Sequence, residues 1–317
     1  MRTLIIGGGL SGLAIAEALE TKDRDYMLIE ARNRYGGRIK TEHHGDGYFD
    51  MGPAWFWPGQ PRIAALIDRL ELEMFEQFAE GILMSEDANG QVSRGRGFNS
   101  MQGSWRLKGG LAALTQTLAD KLPEARKRSD ATVQTVTRLP DGVTVTLTNG
   151  EELSGDQIVL AMPPRVAAEI NFVPPLADNT VQSMRNISMW MAGQSKAVAV
   201  YERPFWRDAG LSGDASSRHG PMVEIHDASP STGGPFALFR FIGVPPQGRT
   251  DPNLLREHLI AQLVRLFGQD AATPSQLYVK DWAFDPFTST QADQAPLYAH
   301  PTYGLPASMA NVWGDQL

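Results

Sequence analysis

The sequence predicts an α/β protein, α+β overall, in which a Rossmann-like domain is interleaved with a smaller mixed-sheet domain. Its 317 residues exceed the size of one ordinary domain and predict two. Residues 3–29 contain a strand, a helix and a strand in succession, as at the start of a parallel nucleotide-binding sheet. Strands of the same kind return at residues 130–161, which predicts that the two domains are woven together rather than placed in series.

The first three elements are short and closely spaced. Thr3–Ile6 is an apolar run that predicts a buried strand, and Leu10–Leu19 carries apolar residues at helical spacing. Tyr26–Ile29 predicts a second buried strand, which ends at Glu30. The segment therefore predicts one βαβ unit with a glycine-rich turn between its first strand and its helix.

Three more helices are marked by their terminal residues. Pro61 suits a first helical position and opens a helix with one apolar face. A second helix is predicted over residues 109–122, where leucines recur in register. Asp251 and Pro252 form an N-cap and first turn, and that helix ends at Gly268.

The other elements are predicted to be strands. Apolar residues alternate with threonines from Val143 to Leu147, and the following Asn149-Gly150 is a strong hairpin signal. Ile158–Ala161 predicts a buried strand that stops before two prolines. Further strands are predicted at residues 196–201, 222–225, 236–242 and 277–284.

These elements lead us to expect a discontinuous nucleotide-binding domain made of residues 1–73, 104–185 and 284–317. Residues 74–103 and 186–283 are expected to form the substrate domain.

The composition excludes several classes of function. A net charge of −7 argues against binding to nucleic acid, which requires clustered cations to neutralise phosphates. The absence of cysteine excludes disulfides, thiolate metal sites and a cysteinyl cofactor link, and the sparse histidines predict no metal site. No apolar run has the roughly 20 residues of a membrane helix, and nothing resembles a signal peptide. We therefore expect a cytoplasmic protein without a membrane segment; the oligomeric state is not indicated.

The glycine-rich turn predicts a site for a dinucleotide. Gly7, Gly9 and Gly12 form the pattern G-x-G-x-x-G, which permits a tight turn, close approach of a pyrophosphate and helix packing on the strand. The helix N-terminus at Leu10 and Ser11 offers amide groups to the phosphates. Glu30 lies at the distance expected for binding ribose hydroxyls, and its charge would repel a 2′-phosphate. The turn and the acid by themselves leave NAD and FAD both open.

The continuation IEARNRYGGRIKT resembles the signature of the flavin-containing amine oxidases, the family of monoamine and polyamine oxidases. The resemblance implies FAD, with Arg38 able to pair with pyrophosphate oxygens; Arg34 is interpreted as a solvated loop charge. The matching positions, apart from the acid already named, are Ala31, Arg32, Gly36, Gly37, Arg38 and Thr41.

Further motifs extend the resemblance over most of the chain. FDMGPAWFWPGQPRI is similar to a family segment with Asp50, Gly52, Gln60 and Ile63 in position, and RLKGGL to another with Arg106, Gly109 and Gly110. By this resemblance the segment Met51, Gly52, Pro53 and Ala54 is expected to contact the cofactor. DATVQTV and QIVLAMPP look like the family's return to the nucleotide domain, which implies a backbone contact from Val133 to the adenine and a place for Met162 at the cofactor.

The stretch SKAVAVYERPFW contains a lysine whose surroundings are unusual even when the resemblance to the family is set aside. On a strand, Lys196, Val198 and Val200 share one face, so the lysine is predicted to be at least partly buried, with a partner or a lowered pKa. The alternative is a lysine at a strand end whose ammonium reaches water. The stretch resembles the family's strand whose lysine holds a water against the reactive flavin nitrogen and is linked to reoxidation by oxygen, which implies that role for Lys196.

Two aromatic positions complete the expected site. Trp282 resembles a family tryptophan beside the flavin, with an ordinary core aromatic as the alternative, and Tyr298 is placed loosely at one wall of the amine site. The cluster of Trp55, Phe56 and Trp57 is interpreted either as a cavity lining or as core. ANVWGDQL resembles the run before the family's Ala-Gly-Thr-Glu motif, so we expect the sequence to lack part of the flavin site.

The sequence therefore predicts an FAD-dependent oxidoreductase, an amine oxidase that transfers hydride from an amine to non-covalently bound flavin, with molecular oxygen as acceptor and hydrogen peroxide as product. Related desaturases and porphyrinogen oxidases share the N-terminal motifs, and Lys196 with Pro-Phe-Trp favours the amine oxidases. A second hypothesis, outside the enzymes, is a flavin-binding module without activity. A third is an NAD-linked dehydrogenase.

Overall fold

The computed structural model describes residues 1–97, 99–295, 297, 301, 304–314 and 316–317. The α-helices of this part of the chain are α1 (Leu10–Thr21), α2 (Pro61–Arg69), α3 (Ala112–Lys121), α4 (Pro164–Ala167), α5 (Asp178–Asn186), α6 (Phe205–Asp208) and α7 (Pro252–Phe267). The strands are β1 (Arg2–Ile6), β2 (Asp25–Ile29), β3 (Thr41–His44), β4 (Gly47–Asp50), β5 (Met74–Glu76), β6 (Ile82–Glu86), β7 (Val92–Gly95), β8 (Trp105–Leu107), β9 (Lys127–Arg128), β10 (Val133–Leu139), β11 (Gly142–Leu147), β12 (Glu152–Gly155), β13 (Gln157–Leu160), β14 (Asn171–Val173), β15 (Ser195–Tyr201), β16 (Leu211–Ser217), β17 (Met222–Asp227), β18 (Phe236–Ile242) and β19 (Gln276–Asp281).

The chain divides into two compact units, each built from separated segments. Unit 1 consists of residues 1–39, 115–192 and 283–317, and unit 2 of residues 40–114 and 193–282. The interleaved α/β architecture is confirmed. Residues 40–73 and 104–114 pack with unit 2, which makes it the slightly larger unit. Packing alone does not assign a function to either unit, so the expected division into a cofactor domain and a substrate domain stays a prediction.

Unit 1 contains the predicted parallel sheet, in the order β13-β1-β2-β9. The apolar runs of β1 and β2 are buried on both faces: a second sheet forms with them a core that includes Leu4, Met27 and Val136, and α1 packs against the same two strands. The second sheet has the order β12-β11-β10-β14. The Asn149-Gly150 hairpin is confirmed, since β11 and β12 pair antiparallel around it.

Unit 2 is built on a seven-stranded sheet in the order β19-β15-β18-β17-β16-β6-β7. Strand β15 is buried on both faces, which confirms the predicted burial of Lys196. Ala197 and Ala199 face a core that includes residues of α7, and Val198 and Val200 face a second cluster that includes Phe239. Sequence reasoning missed β16, whose residues LSGDASS are mostly small or polar yet almost entirely buried.

Two predicted boundaries were wrong, each for a local reason. Helix α3 begins at Ala112 rather than Gly109, because Gly109 and Gly110 adopt φ values of +82° and +79° and form a left-handed turn before it. Strand β19 ends at Asp281 rather than Phe284, because Asp281 pairs with Ser195, the first residue of β15. Among the described residues, none of the helices is both long and apolar enough to cross a bilayer.

Candidate functional site

The glycine-rich turn between β1 and α1, residues 7–12, is packed so closely at two of its glycines that a side chain would not fit there. A Cβ on Gly12 would lie 1.9 Å from the carbonyl oxygen of Gly7, and one on Gly7 would lie 2.6 Å from that of Ala161. Gly9 differs, because a Cβ there would meet only the Cα of Gly37, at 4.0 Å. Gly7 and Gly12 are thus required by the fold, whereas Gly9 leaves open space above the turn.

The turn and the GGR segment are held together by backbone contacts. Gly36 donates its N–H to the carbonyl oxygen of Gly8, and Gly9 and Gly36 form a parallel bridge. Met162 lies beside the turn, its Cβ 3.3 Å from the place of a Cβ on Gly7. The predicted cofactor residues on the two glycine segments, and Met162, are therefore brought together within unit 1.

Glu30 is buried at the end of β2, with 4% of its surface exposed. Its carboxylate accepts hydrogen bonds from the amides of Gly8 (2.8 Å) and Arg32 (2.9 Å). The carbonyl oxygen of Glu30 accepts from Ala131, two residues before Val133. The acid, the half-buried Ala31 and the first residue of β10 thus lie at one end of the parallel sheet.

The three arginines of the signature segment differ in their pairing. Arg34, interpreted as a solvated loop charge, instead donates to backbone carbonyl oxygens of its own segment, including that of Gly37 at 2.8 Å. Arg32 forms an ion pair with Asp285, lies 3.7 Å from a Glu30 oxygen and stacks on the ring of Phe287. Its charge is balanced by its own chain. Arg38 is exposed, and no acceptor for its guanidinium is found among the described residues. Arg38 is therefore the arginine left to bind an external anion.

The residues of unit 1 fit the pyrophosphate of a dinucleotide. The amides of Leu10, Ser11 and Gly12 open α1 and have no acceptor in the described part of the chain, as expected for a first helical turn. Because Gly9 has no side chain, a pyrophosphate can approach the backbone closely there, and Arg38 supplies a positive charge. The buried carboxylate of Glu30 does not suit a 2′-phosphate.

In unit 2 the predicted flavin residues meet at the segment that follows β4. Lys196 donates from Nζ to the carbonyl oxygen of Gly52, and Trp282 donates from its indole N–H to that of Met51, at 2.8 Å. Met51, Gly52 and Ala54 are buried, and Pro53 is exposed. A lysine, a tryptophan and a backbone segment that are far apart in sequence thus form one cluster.

Lys196 is 5% exposed and sits against aromatic rings. Its Nζ lies 4.6 Å from the ring centre of Phe239, 5.0 Å from that of Phe241 and 5.7 Å from that of Trp55. Burial lowers the pKa of Lys196 to about 8, although the negative charge of Asp50 opposes the shift. The alternative of a strand-end lysine reaching water is excluded.

Asp50 is the acidic residue whose charge acts on Lys196. It is buried, and its Oδ1 accepts from the hydroxyl of Thr41 (2.6 Å) and the amide of Leu111 (2.9 Å). Burial raises the pKa of Asp50, while the Thr41 hydrogen bond and the charges of Arg106 and Lys196 act in the opposite direction. The motif residues Thr41, Asp50 and Arg106 therefore form an electrostatic support for Lys196.

Sequence reasoning left several neighbours of Lys196 without a role. Trp55 donates its indole N–H to Gln77 Oε1 at 2.8 Å, whereas Trp57 is 40% exposed, so the aromatic cluster is neither a uniform cavity lining nor a uniform core. Phe239 and Phe241 could have been found, because they alternate on β18. The buried His226, which contacts Trp55, gave no signal in the sequence. Tyr298 lies outside the described residues.

Comparison with known proteins identifies similar chains over most of the sequence. The profile described as flavin containing amine oxidoreductase matches residues 74–303, and one described as NAD(P)-binding Rossmann-like domain matches residues 5–70. AofH of Mycobacterium tuberculosis, whose name assigns it provisionally to the flavin-containing monoamine oxidases, is 32% identical over 384 residues, which cover 90% of this chain and 83% of AofH. Putrescine oxidase of Kocuria rosea is 22% identical, covering 90% of this chain and 82% of the relative.

A solved structure shares the fold. Wild-type putrescine oxidase bound to putrescine superimposes with a TM-score of 0.81 at 21% identity, covering 91% of this chain and 86% of the other. The alignment with AofH, at 384 residues, is longer than this chain of 317. AofH therefore carries segments within the aligned region that this chain lacks.

Proposed function

The chain belongs to the family of flavin containing amine oxidoreductases, and we propose that it oxidises an amine by hydride transfer to FAD, with oxygen as the final acceptor. FAD, when bound, supplies the hydride acceptor and the reaction with oxygen. The observation that carries the proposal is the buried Lys196, held on the carbonyl oxygen of Gly52 beside Trp282 in an aromatic surrounding.

Unit 1 supplies the binding of the pyrophosphate and ribose. The open amides of α1 and the guanidinium of Arg38 are proposed to hold the pyrophosphate oxygens, and Glu30 is proposed to select a ribose without a 2′-phosphate. Because Glu30 is already held by two backbone amides, its carboxylate is positioned before any ligand arrives. Val133 is proposed to contact the adenine through its backbone.

Unit 2 supplies a buried lysine, Lys196, whose lowered pKa of about 8 lets it gain or lose a proton near neutral pH. Lys196 Nζ has one acceptor among the described residues, Gly52 O, which leaves two of its donors for a water molecule. We propose that this water lies against the flavin and that the charge of Lys196 favours reoxidation by oxygen. The Trp282 ring, fixed through Met51, is proposed to pack beside the flavin and help exclude bulk water.

The amine itself enters the reaction as the neutral base in this proposal. Loss of hydride from its α-carbon gives an iminium ion, which water hydrolyses to a carbonyl compound and an ammonium product. The two electrons, together with two protons, reduce oxygen to hydrogen peroxide. No described histidine or carboxylate is assigned as an essential base, because a neutral amine can lose hydride without one. A cytoplasmic location remains a prediction, which fractionation of cells producing the tagged protein would check.

A visible spectrum tests the proposal directly. The purified protein, reconstituted with FAD, is mixed anaerobically with a panel of amines that includes putrescine and a monoamine, and with a porphyrinogen as the comparison substrate. Bleaching of the flavin bands by an amine, followed by peroxide release when oxygen is admitted, is the expected result. Bleaching by the porphyrinogen alone would support the related oxidases instead, and retained FAD that no amine reduces would support a binding module.

A further inference from the structure

His226 lies buried between two carboxylates in unit 2. Its Nδ1 is 2.5 Å from Asp214 Oδ1 and its Nε2 is 2.9 Å from Glu224 Oε1, and 2% of the residue is exposed. An ionised carboxylate can only accept a hydrogen bond, so both partners are satisfied when both ring nitrogens carry a hydrogen. Burial raises the pKa of Asp214, while the hydrogen bond and the charge of His226 act in the opposite direction and favour the ionised pair. The arrangement is therefore that of an imidazolium rather than of a neutral imidazole.

The charges around the ring favour its protonated form. Burial alone lowers the pKa of His226, but the hydrogen bonds to Asp214 and Glu224 outweigh it and raise the pKa above its ordinary value. Asp214 comes from β16 and has a second oxygen that is buried without a partner in the described residues. Glu224 belongs to β17, as does Asp227, which is paired with Arg207 of α6. From β18 the side chain facing His226 is the uncharged ring of Phe239.

The imidazole ring contacts the rings that surround Lys196. Its centre lies 5.3 Å from that of Trp55 in an edge contact, and 6.3 Å from that of Phe239 in a stacked contact. The Trp55 indole N–H is fixed by Gln77. Trp55 is thus held at one point by Gln77 and packed against His226, while the same ring lies near Lys196 Nζ.

We propose that His226 is a positioning residue: held between Asp214 and Glu224, it fixes the Trp55 ring beside Lys196, and loss of its proton releases that ring. A neutral imidazole turns one lone pair toward a carboxylate oxygen, which repels it. The ring must then leave one carboxylate, and its contact with Trp55 changes. The effect on Lys196 rests on the proposed function, whereas the relation between His226 and Trp55 does not.

The test follows the indole N–H of Trp55 by ¹H–¹⁵N NMR of the FAD-loaded, ¹⁵N-tryptophan-labelled protein. The signal is assigned by its loss in Trp55→Phe. Its chemical shift is expected to titrate with one midpoint above the ordinary histidine value in the wild type, and to lose that titration in His226→Gln. His219→Gln, an exposed histidine of the same unit, is the matched control and is expected to keep the wild-type midpoint.

A second variant keeps the ring and changes its partner. Glu224→Gln removes one negative charge, so the midpoint is expected to move down by about one pH unit or more. A Trp55 signal that does not titrate in the wild type, or a midpoint unchanged in Glu224→Gln or retained in His226→Gln, would overturn the proposal. The experiment needs no substrate: if amines fail to bleach the flavin while Trp55 titrates as expected, the proposed function fails and this inference stands.

Discussion

Lys196 shows how one strand residue acquires an unusual charge state. Neighbouring aromatic rings and two valines on its own face remove water from the ammonium, and the carbonyl oxygen of Gly52 supplies its hydrogen bond. Burial lowers its pKa to about 8, so the group can change charge near physiological pH. The ammonium form predominates below that value and the amine form above it.

We expect Lys196→Met to slow the reaction of reduced flavin with oxygen. The substitution keeps the length and apolar packing of the side chain but removes the charge that is proposed to stabilise negative charge developing on oxygen. In the wild type the reoxidation rate is expected to fall as the pH rises through about 8, because the ammonium is lost there. Stopped-flow reoxidation after anaerobic reduction measures both effects.

The control for this prediction is Lys108→Met, which alters an exposed lysine paired with Glu73. Its reoxidation rate is expected to match that of the wild type at every pH. An unchanged rate in Lys196→Met would remove the proposed role of this lysine, even if the protein oxidises amines.

Arg240 is a charged residue that the proposed chemistry does not use. It is fully buried on β18, its Nε and Nη2 have no partner in the described residues, and burial lowers its pKa to about 10. Its neighbours across the strands, Ala197 and Ile225, belong to the apolar core. The guanidinium is thus held in a surrounding that cannot satisfy it.

We expect Arg240→Met to stabilise the protein by about 1–3 kcal/mol, the usual cost of a buried polar group left unpaired. Urea unfolding monitored by fluorescence measures the change, with the exposed Arg94→Met as the control of neutral effect. A lower stability of Arg240→Met would mean that an internal water or anion pairs with the guanidinium.

At the scale of elements, the turn between β1 and α1 assigns different roles to glycines that look alike in sequence. Gly12 brings α1 so close to the turn that a Cβ would overlap the Gly7 carbonyl group, whereas Gly9 has an extended backbone and open space at the same position. The fold therefore requires a glycine at position 12. At position 9 the fold would accept a side chain, so the glycine there is available for a function that needs a ligand to approach the backbone closely.

Gly9→Ala and Gly12→Ala are therefore expected to separate binding from folding. Gly9→Ala should leave the melting temperature of the FAD-free protein unchanged and weaken FAD binding about tenfold or more, because its methyl group would occupy the place proposed for the pyrophosphate. Gly12→Ala should lower the melting temperature itself. Calorimetric titration with FAD and thermal unfolding give both values; equal FAD affinity in Gly9→Ala and the wild type would place the pyrophosphate elsewhere.

At the scale of the whole molecule, the interleaving of segments explains why predicted domains and compact units differ. Residues 40–73 follow the nucleotide signature directly in sequence, yet they pack with the sheet that carries Lys196. Sequence order suggested that they belong with the preceding βαβ unit. The hairpin β3–β4 instead places Asp50 and Gly52 beside that lysine.

Cofactor binding is expected to stabilise the whole chain, because a ligand that binds only the folded state raises its free energy of unfolding. At about 100 times the dissociation constant the gain is about 2.7 kcal/mol. Thermal unfolding with and without FAD measures it, with NADP as the control, since the buried carboxylate of Glu30 disfavours a 2′-phosphate. A larger shift with NADP than with FAD would contradict the proposed selectivity.

The sequence by itself determined the features that depend on local order. Hydrophobic period, caps and glycine spacing predicted β1, α1, β2, α7 and the hairpin at Asn149-Gly150, and the motifs identified the family through residues such as Arg38 and Lys196. These signals are readable because each arises from neighbours within a few positions of the chain.

Only the tertiary structure decided which of these residues interact. It balanced Arg32 with Asp285, brought Trp282 and Lys196 to one backbone segment and placed His226 between two carboxylates. Such pairings join residues distant in sequence, and their strength comes from burial, which removes the water that would screen each charge. Burial is a property of the packed molecule, so the charge states of these side chains could not be predicted from the order of residues alone.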